Sequence, residues 1–500
     1  MIAFLKQHKY IILILLLASF FRLYRIGDYM EFLGDQGRDV VIIRDFLKNG
    51  NYFFIGPQTS IGNMYLGPFY YYFIAPSLLI ANFNPIGPAI FIALLGILTV
   101  YLVYFIAHKW FSYSTALVSS FLFAISPVII KYSNFSWNPN IMPLFSLLFV
   151  YFIWFAFNKK EFKYLIYASL AFIMTLNSHY LALLLLPIPL VYVFILFLSK
   201  PSKEIKRNFV KYTLISVIIF LISLLPQIAF DIKHHGQNIG ALTTFFSQRQ
   251  TTVNLKAYKA IPNLWPLFNQ INGSLLAGKT EIAAFIISLF ILISSIFYLT
   301  KNYKHLKKNL NHPFLLLIIW YLIGLTGLGL YKQHIYDHYF GFLFPVVNML
   351  TAFLITYLFQ IKIYGKIISV LIILIIVFQS FSHNQFLYQP PRQLWTTKQI
   401  VQSIQQKSNQ EPFNLALLAK QNYDPPYRYF FYQNEAPLYD LKDKITNQLF
   451  VICEPWQIEC QPINNPEWAV AAFGWAKIDS QWEINGIHIF RLVHNLEGTP

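Results

Sequence analysis

Charge is what this sequence has least of. Asp, Glu, Lys and Arg make up 12% of its 500 residues, whereas a soluble domain carries about 25%. So few charges cannot cover the surface of a soluble protein this long, and 56% of the residues are hydrophobic. Cysteine is nearly absent. Cys453 and Cys460 are the two present; they lack the partners of a zinc site and both lie in the last polar stretch. If that stretch is exported they are placed to form a disulfide, and two free or buried thiols fit equally well. A cleavage site is also missing. Lys6, Lys9 and the apolar Ile11–Phe21 start like a signal peptide, but Arg22-Leu23-Tyr24-Arg25 follows where small residues would be needed. The segment therefore reads as an uncleaved helix whose arginines snorkel to the interface. No internal repeat or low-complexity linker interrupts the chain.

The charge that exists is lopsided, +17 net. It is not gathered in one patch, which excludes nucleic acid as a partner. Basic residues sit in short runs between apolar segments, the pattern that orients a membrane protein. A spanning helix needs roughly twenty apolar residues, because only a helix or closed barrel satisfies its own backbone in lipid. About eleven such runs occur: Tyr10–Leu23, Ala89–Trp110, Ser114–Ile130, Ile141–Phe157, Tyr164–Asn177, Leu181–Leu198, Tyr212–Phe230, Ile282–Thr300, Pro313–Leu330, Phe340–Phe359 and Ile367–Phe381. Lysine-rich loops at 159–163, 200–211, 301–308 and 362–366 share one parity with Lys6, Lys9 and Lys109. That side is the cytoplasm, together with the N-terminus. The opposite side receives the loops 27–87, 131–140, 231–281 and 331–339 and everything after 381. Leu66–Phe83 would flip every later loop if it crossed, so it is expected to be interfacial or re-entrant. Its prolines and tyrosines suit an aromatic belt.

The fold class predicted is mainly α: a polytopic membrane bundle over 1–382, and a small α/β domain over 383–500 outside the cytoplasm. In the tail a helix is expected near Thr396–Lys407, with strands at Phe413–Ala419, Gln448–Cys453, Trp468–Phe473 and Ile487–Val493.

The first outer loop carries the densest chemistry. After Gly34 the sequence Asp35-Gln36-Gly37-Arg38-Asp39 opens an amphipathic helix. Asp35 and Asp39 are four apart and share a face, with Arg38 adjacent. Two carboxylates beside an arginine near lipid form a candidate acid/base site. The plainer alternative is that Asp35 is an N-cap and Asp39 only pairs with Arg38. In the next outer loop Trp137 and Asn138 could line a pocket, or be an interfacial tryptophan and an Asn-Pro turn. His179 stands at an outer helix end, and His338-Tyr339 lie in a Tyr-His cluster ahead of Pro345. Histidine can donate to phosphate or ligate metal. No metal-binding spacing is present, so no cofactor is inferred from the residues, and a divalent metal stays open. The long loop 231–281 holds Lys233, His234, His235, Arg249, Lys256 and Lys259, either an anion-attracting lid or a solvated face.

Gly-Asp-Gln-Gly-Arg-Asp at 34–39, followed by Ile-Gly-Pro and by Tyr-Leu-Gly-Pro-Phe-Tyr-Tyr-Tyr at 65–72, resembles the C-type glycosyltransferase superfamily. The branch it looks most like is the bacterial protein O-mannosyltransferase and aminoarabinose-transferase group. The resemblance covers roughly Tyr10–Pro345 and leaves the C-terminal part unmatched. It implies an inverting transferase that takes a sugar from a polyprenyl-phosphate carrier to a lipid, glycan or protein hydroxyl, among membrane lipids in the cytoplasmic membrane. It maps the base onto Asp35, with Asp39 in reserve, and makes Arg38, Tyr65, Tyr70, Trp137, Asn138, His179, His338 and Tyr339 substrate-binding candidates. Many relatives have Asp-Glu where this chain has Asp35-Gln36, an acid where it has Asn138, and an arginine near His338-Tyr339. These departures keep an inactive glycan-binding scaffold in play. A flippase of lipid-linked glycans is the other alternative. It would want ionisable residues at mid-bilayer, where these helices have almost none.

Overall fold

The computed structural model describes residues 2–60, 62–248, 252–254, 256–420, 422–454 and 460–495, with side chains from residue 8 onward. Arg249, singled out above, lies outside them. The chain divides into two compact units. One comprises Met1–Tyr24, Tyr52–Ser77 and Pro88–Gln389; the other comprises Arg25–Asn51, Leu78–Gly87 and Pro390–Pro500. The acidic segment of the first loop thus shares a unit with the C-terminal domain, a grouping that the expected boundary at 382/383 did not include.

The first unit is helical, and each of the eleven apolar runs lies on helix. Among the described residues seven helices are long and apolar enough to cross a membrane, and Tyr113–Ile125, Tyr164–Ser178 and Pro313–Gly329 are shorter apolar helices. Phe69–Ile80 has 12 residues, about 18 Å at 1.5 Å each, too short for a hydrocarbon core of about 30 Å. Surfaces of these helices carry large apolar side chains in the open, for example Leu214, Ile218 and Leu221 on Lys203–Ser223. Such contiguous apolar surface belongs against lipid.

Inside the bundle, polar groups tie helices together. Asn272 donates to Ser288 Oγ at 3.1 Å and accepts from Tyr321 Oη at 2.8 Å, all three buried. This knot joins the helices Ile261–Leu276, Glu281–Lys301 and Pro313–Gly329. Thr115 and Thr356 hydroxyls meet at 2.7 Å between two further helices. Interhelical hydrogen bonds of this kind replace the hydrophobic drive that lipid cannot supply.

Arg22 corrects the expectation of snorkelling. It is 1% exposed. The helix Tyr113–Ile125 ends before Pro127, which has no N–H to offer the Phe123 carbonyl. Arg22 supplies the missing donors: Nη2 to Phe123 O at 3.3 Å and Nη1 to Ala124 O at 3.1 Å. A cation at a helix C-terminus also suits the helix dipole. Gly96 makes room, since a Cβ there would lie 3.1 Å from Arg22 Nε and 2.8 Å from Ser133 Oγ.

The second unit holds a four-stranded sheet. Its strands are β1 (Asn414–Leu418), β2 (Gln448–Cys453), β3 (Ala476–Ile484) and β4 (Ile487–His494), in the order β1-β2-β4-β3. β1 and β2 are parallel, linked through the helix Pro425–Gln433, and the other pairings are antiparallel. β2 is buried along its whole length, as expected for an inner strand between two neighbours. β3 was not foreseen, and Trp468–Phe473, expected as a strand, is a helix. The overlooked signal is Asn485-Gly486, both at positive φ (51° and 80°), the two-residue turn that fits strand twist. Cys453 and Cys460 are disulfide-bonded.

Candidate functional site

Two constellations of side chains carry chemistry, one in each unit. In the second unit the helix Gly34–Asn49 begins after an extended Leu33. The Leu33 N–H donates to Gln36 Oε1 at 2.9 Å, and the Gly34 N–H to Asn422 Oδ1 at 2.7 Å. Two of the orphan donors at the helix start are thereby met. Gln36 is thus buried and committed to the helix terminus.

Asn422 in turn donates to Glu454 Oε1 at 2.6 Å, which also accepts from Tyr427 Oη at 3.0 Å. Burial first, and the neighbouring Glu454 carboxylate second, push the Tyr427 phenol up. The two glycines let this part of the chain come close. A Cβ on Gly37 would fall 2.3 Å from Pro426 N, and one on Gly34 2.2 Å from Tyr423 Cδ2. The approach also seats Phe32 against Phe430, ring centroids 5.8 Å apart, and brings Arg44 Nη2 to Tyr432 O at 2.9 Å.

On that anchored helix Arg38 lies between both carboxylates. Its Nη1 is 2.7 Å from Asp35 Oδ1 and its Nη2 2.8 Å from Asp39 Oδ1, with Nε also donating to Asp39 at 3.0 Å. The two acids differ in access. The Asp35 side chain is 36% exposed and the Asp39 side chain 2%. Asp39 therefore grips the guanidinium from the buried side, and Asp35 faces outward.

In the first unit Trp137, His179, His338 and Tyr339 come together. Ring centroids lie 4.5 Å apart for Trp137–His338, 4.7 Å for His338–Tyr339 and 4.9 Å for His179–Tyr339. Tyr132 and Tyr336 complete the aromatic wall. Tyr65 is tied in through its backbone: its carbonyl accepts from Tyr180 Oη at 2.7 Å and its N–H donates to Asn238 Oδ1 at 2.8 Å. Tyr70 and Asn138 point elsewhere. Tyr70 is fully buried with its hydroxyl on Ser136 Oγ at 2.9 Å, and Asn138 donates to Ser178 O at 2.7 Å.

Asp337 is the residue that reading by sequence passed over. It accepts from Ser274 Oγ at 3.0 Å and pairs with Lys279 Nζ at 2.6 Å, which anchors the turn that carries His338 and Tyr339. Among the described residues no three His, Cys, Asp or Glu side chains group as a metal site would need.

Comparison with known proteins gives the class. Residues 66–229 match the family described as dolichyl-phosphate-mannose-protein mannosyltransferase. No curated protein matches the chain in sequence. Among solved structures, ArnT from Cupriavidus metallidurans bound to undecaprenyl phosphate is similar over 97% of this chain and 98% of its own, at TM-score 0.60 and 10% identity. The oligosaccharyltransferase of Archaeoglobus fulgidus, in complex with Zn and sulfate, is similar over 84% of this chain at TM-score 0.53 and 13% identity; the chain spans 61% of its length. This is a polytopic membrane protein with the C-type glycosyltransferase fold, as the sequence motifs led us to expect. Within that class its fold is ArnT-like, C-terminal sheet domain included.

Proposed function

We propose that this chain is an inverting glycosyltransferase, moving a sugar from a polyprenyl-phosphate carrier to a hydroxyl acceptor at the outer face of the cytoplasmic membrane. The observation that carries the reading is the asymmetry around Arg38: an accessible Asp35 and a buried Asp39 share one guanidinium. An acceptor hydroxyl is a poor nucleophile and needs one positioned base. Asp35 takes its proton as the acceptor oxygen attacks the anomeric carbon. The bond from that carbon to the phosphate oxygen breaks on the opposite face, which inverts the configuration. Polyprenyl phosphate departs as a stable anion, so no general acid is required, unlike glycoside hydrolysis with its carboxyl pair. Arg38, held by Asp39, orients the Asp35 carboxylate.

The Trp137, His179, His338 and Tyr339 rings are assigned to the donor, with imidazole donors for phosphate oxygens and aromatic faces for sugar or isoprenoid. Tyr65, whose carbonyl is bonded by Tyr180 beside His179 and whose ring packs on Phe230, is assigned to the donor with them. Tyr70 and Asn138 act by holding the wall in place. The ArnT neighbour was solved with undecaprenyl phosphate and an Archaeoglobus fulgidus oligosaccharyltransferase with a dolichol phosphate, which supports a lipid-phosphate donor here. Membrane orientation follows the lysine-rich loops, with the N-terminus cytoplasmic and 383–500 outside. A flippase would place ionisable groups at mid-bilayer. Arg22 and Asp231, the charged residues buried in apolar helices among those described, instead stand within a turn of a helix end.

The test is Asp35→Asn in purified protein with a panel of polyprenyl-phosphate sugars. Transfer should drop by at least about 10²-fold with expression and membrane insertion unchanged. Wild-type transfer by that variant removes Asp35 from the mechanism.

A further inference from the structure

A cleft of about 680 Å³ opens in the first unit between the helix Ile261–Leu276 and the segment 331–335. Neither the transferase reading nor the motifs above account for it. Apart from Lys332 its polar lining is neutral: the carboxamides of Asn263, Gln270 and Gln333 and the phenol of Tyr331. Each is fixed by a hydrogen bond within the protein. Asn263 Nδ2 donates to Gly329 O at 2.8 Å, Gln270 Nε2 to Ile335 O at 2.9 Å, and Tyr331 Oη to Gln333 Oε1 at 2.8 Å. The side chains are therefore ordered before a ligand arrives, which lowers the entropic cost of binding.

Half of each amide remains available. Among the described residues no protein donor reaches Asn263 Oδ1 or Gln270 Oε1, and the Gln333 amide nitrogen donates to no protein acceptor. The cleft thus offers carbonyl acceptors and an amide donor side by side, the complement of hydroxyl groups that both donate and accept. Pro266, Leu267 and Ile335 supply apolar surface between them. Among the described residues Lys332 is the one charged group in the lining and no carboxylate faces the space, so a cationic ligand finds nothing there to pair with. An acyl chain would strand the amides without partners.

We propose that this cleft binds a neutral oligosaccharide of two or three rings. The volume falls within the range of about 300–1,000 Å³ typical of ligand sites. Ile335 is three residues from His338, so a glycan held here lies along the segment that leads into the aromatic wall of the same unit. For the transferase this names the acceptor as glycan; that extension rests on the proposed function, whereas the binding itself does not.

The experiment is saturation-transfer NMR on the full chain in lipid nanodiscs, with mannotriose and maltotriose as probes. At least one should receive saturation from the wild-type protein. The Tyr331→Phe/Gln333→Ala double variant should weaken that binding by about tenfold, the worth of one or two neutral hydrogen bonds. Asn263→Leu serves as an independent second variant, and an unchanged melting temperature shows that each is folded. No saturation of either probe, or equal saturation in folded variants, overturns the proposal. Failure here with sugar transfer intact leaves the transferase standing; saccharide binding without any transfer does the reverse.

Discussion

Replacing Gly37 by alanine asks how closely the acidic helix must approach its own unit's C-terminal residues. The added Cβ would lie 2.3 Å from Pro426 N, 2.5 Å from Cδ and 2.6 Å from Cγ. Ordinary van der Waals contact starts near 3.4 Å, so this helix and the start of the helix Pro425–Gln433 must part by about 1 Å. The obstacle is backbone and a proline ring, which cannot swing aside. Overpacking of this kind costs about 1–3 kcal/mol, offset by the roughly 1 kcal/mol that alanine gains over glycine in a helix. A net loss of about 0–2 kcal/mol is expected, at most a few degrees in apparent melting temperature. The effect on transfer should be larger. A shift of about 1 Å in a positioned catalytic group can cost about 10²-fold, and Asp35 and Arg38 flank Gly37 on the same turn. Gly34→Ala meets the Tyr423 ring, an exposed side chain that can rotate away, and should be milder. Gly62→Ala meets nothing within 4 Å and serves as the silent control. The assay is transfer kinetics beside thermal melting in one detergent. Unchanged melting and unchanged transfer in Gly37→Ala would refute the close approach and the role built on it.

Other perturbations test other parts. Asn272→Leu should destabilise the bundle by about 1 kcal/mol, because Tyr321 then keeps a buried hydroxyl without its acceptor; an unaltered melt in detergent would show that the knot contributes nothing. Opening the Cys453–Cys460 bridge by Cys460→Ser should cost about 2–3 kcal/mol for a loop this short, read as faster proteolysis of the C-terminal segment, and an unchanged cleavage rate would refute it. Tyr427 should make the second unit alkali-sensitive. Its folded pKa lies above the ordinary value of about 10, so its contribution is complete below that pH and fades as pH rises beyond it. Tyr427→Phe should flatten stability above pH 10, and an identical alkaline profile in wild type and variant would exclude the effect.

How much was legible in the sequence depended on whether the signal was local. Runs such as Ala89–Trp110 announce a helix because every residue of the run contributes, and each of the eleven lies on helix. The hairpin at Asn485-Gly486 was equally local and was overlooked, although in β3 Ala476, Ile478, Ser480, Trp482 and Ile484 alternate with charged or amide side chains. Trp468–Phe473 misled because a six-residue apolar run suits a strand as well as a helix. In the candidate site, the four-residue spacing of Asp35 and Asp39 disclosed the shared face. It could not disclose which carboxylate is buried, because that is decided by what packs against the helix.

By itself, then, the sequence determined that this is a membrane protein, where its helices run and which short motif carries paired acids, since hydropathy and helical spacing act over a few residues. Only the tertiary structure decided that residues 25–51 join the C-terminal unit, that Gly34 and Gly37 are needed for contact with Tyr423 and Pro426, and that Arg22 serves helix carbonyls instead of the interface. Those outcomes depend on groups a hundred to nearly four hundred residues apart meeting within a few ångströms, and no local pattern encodes such a meeting.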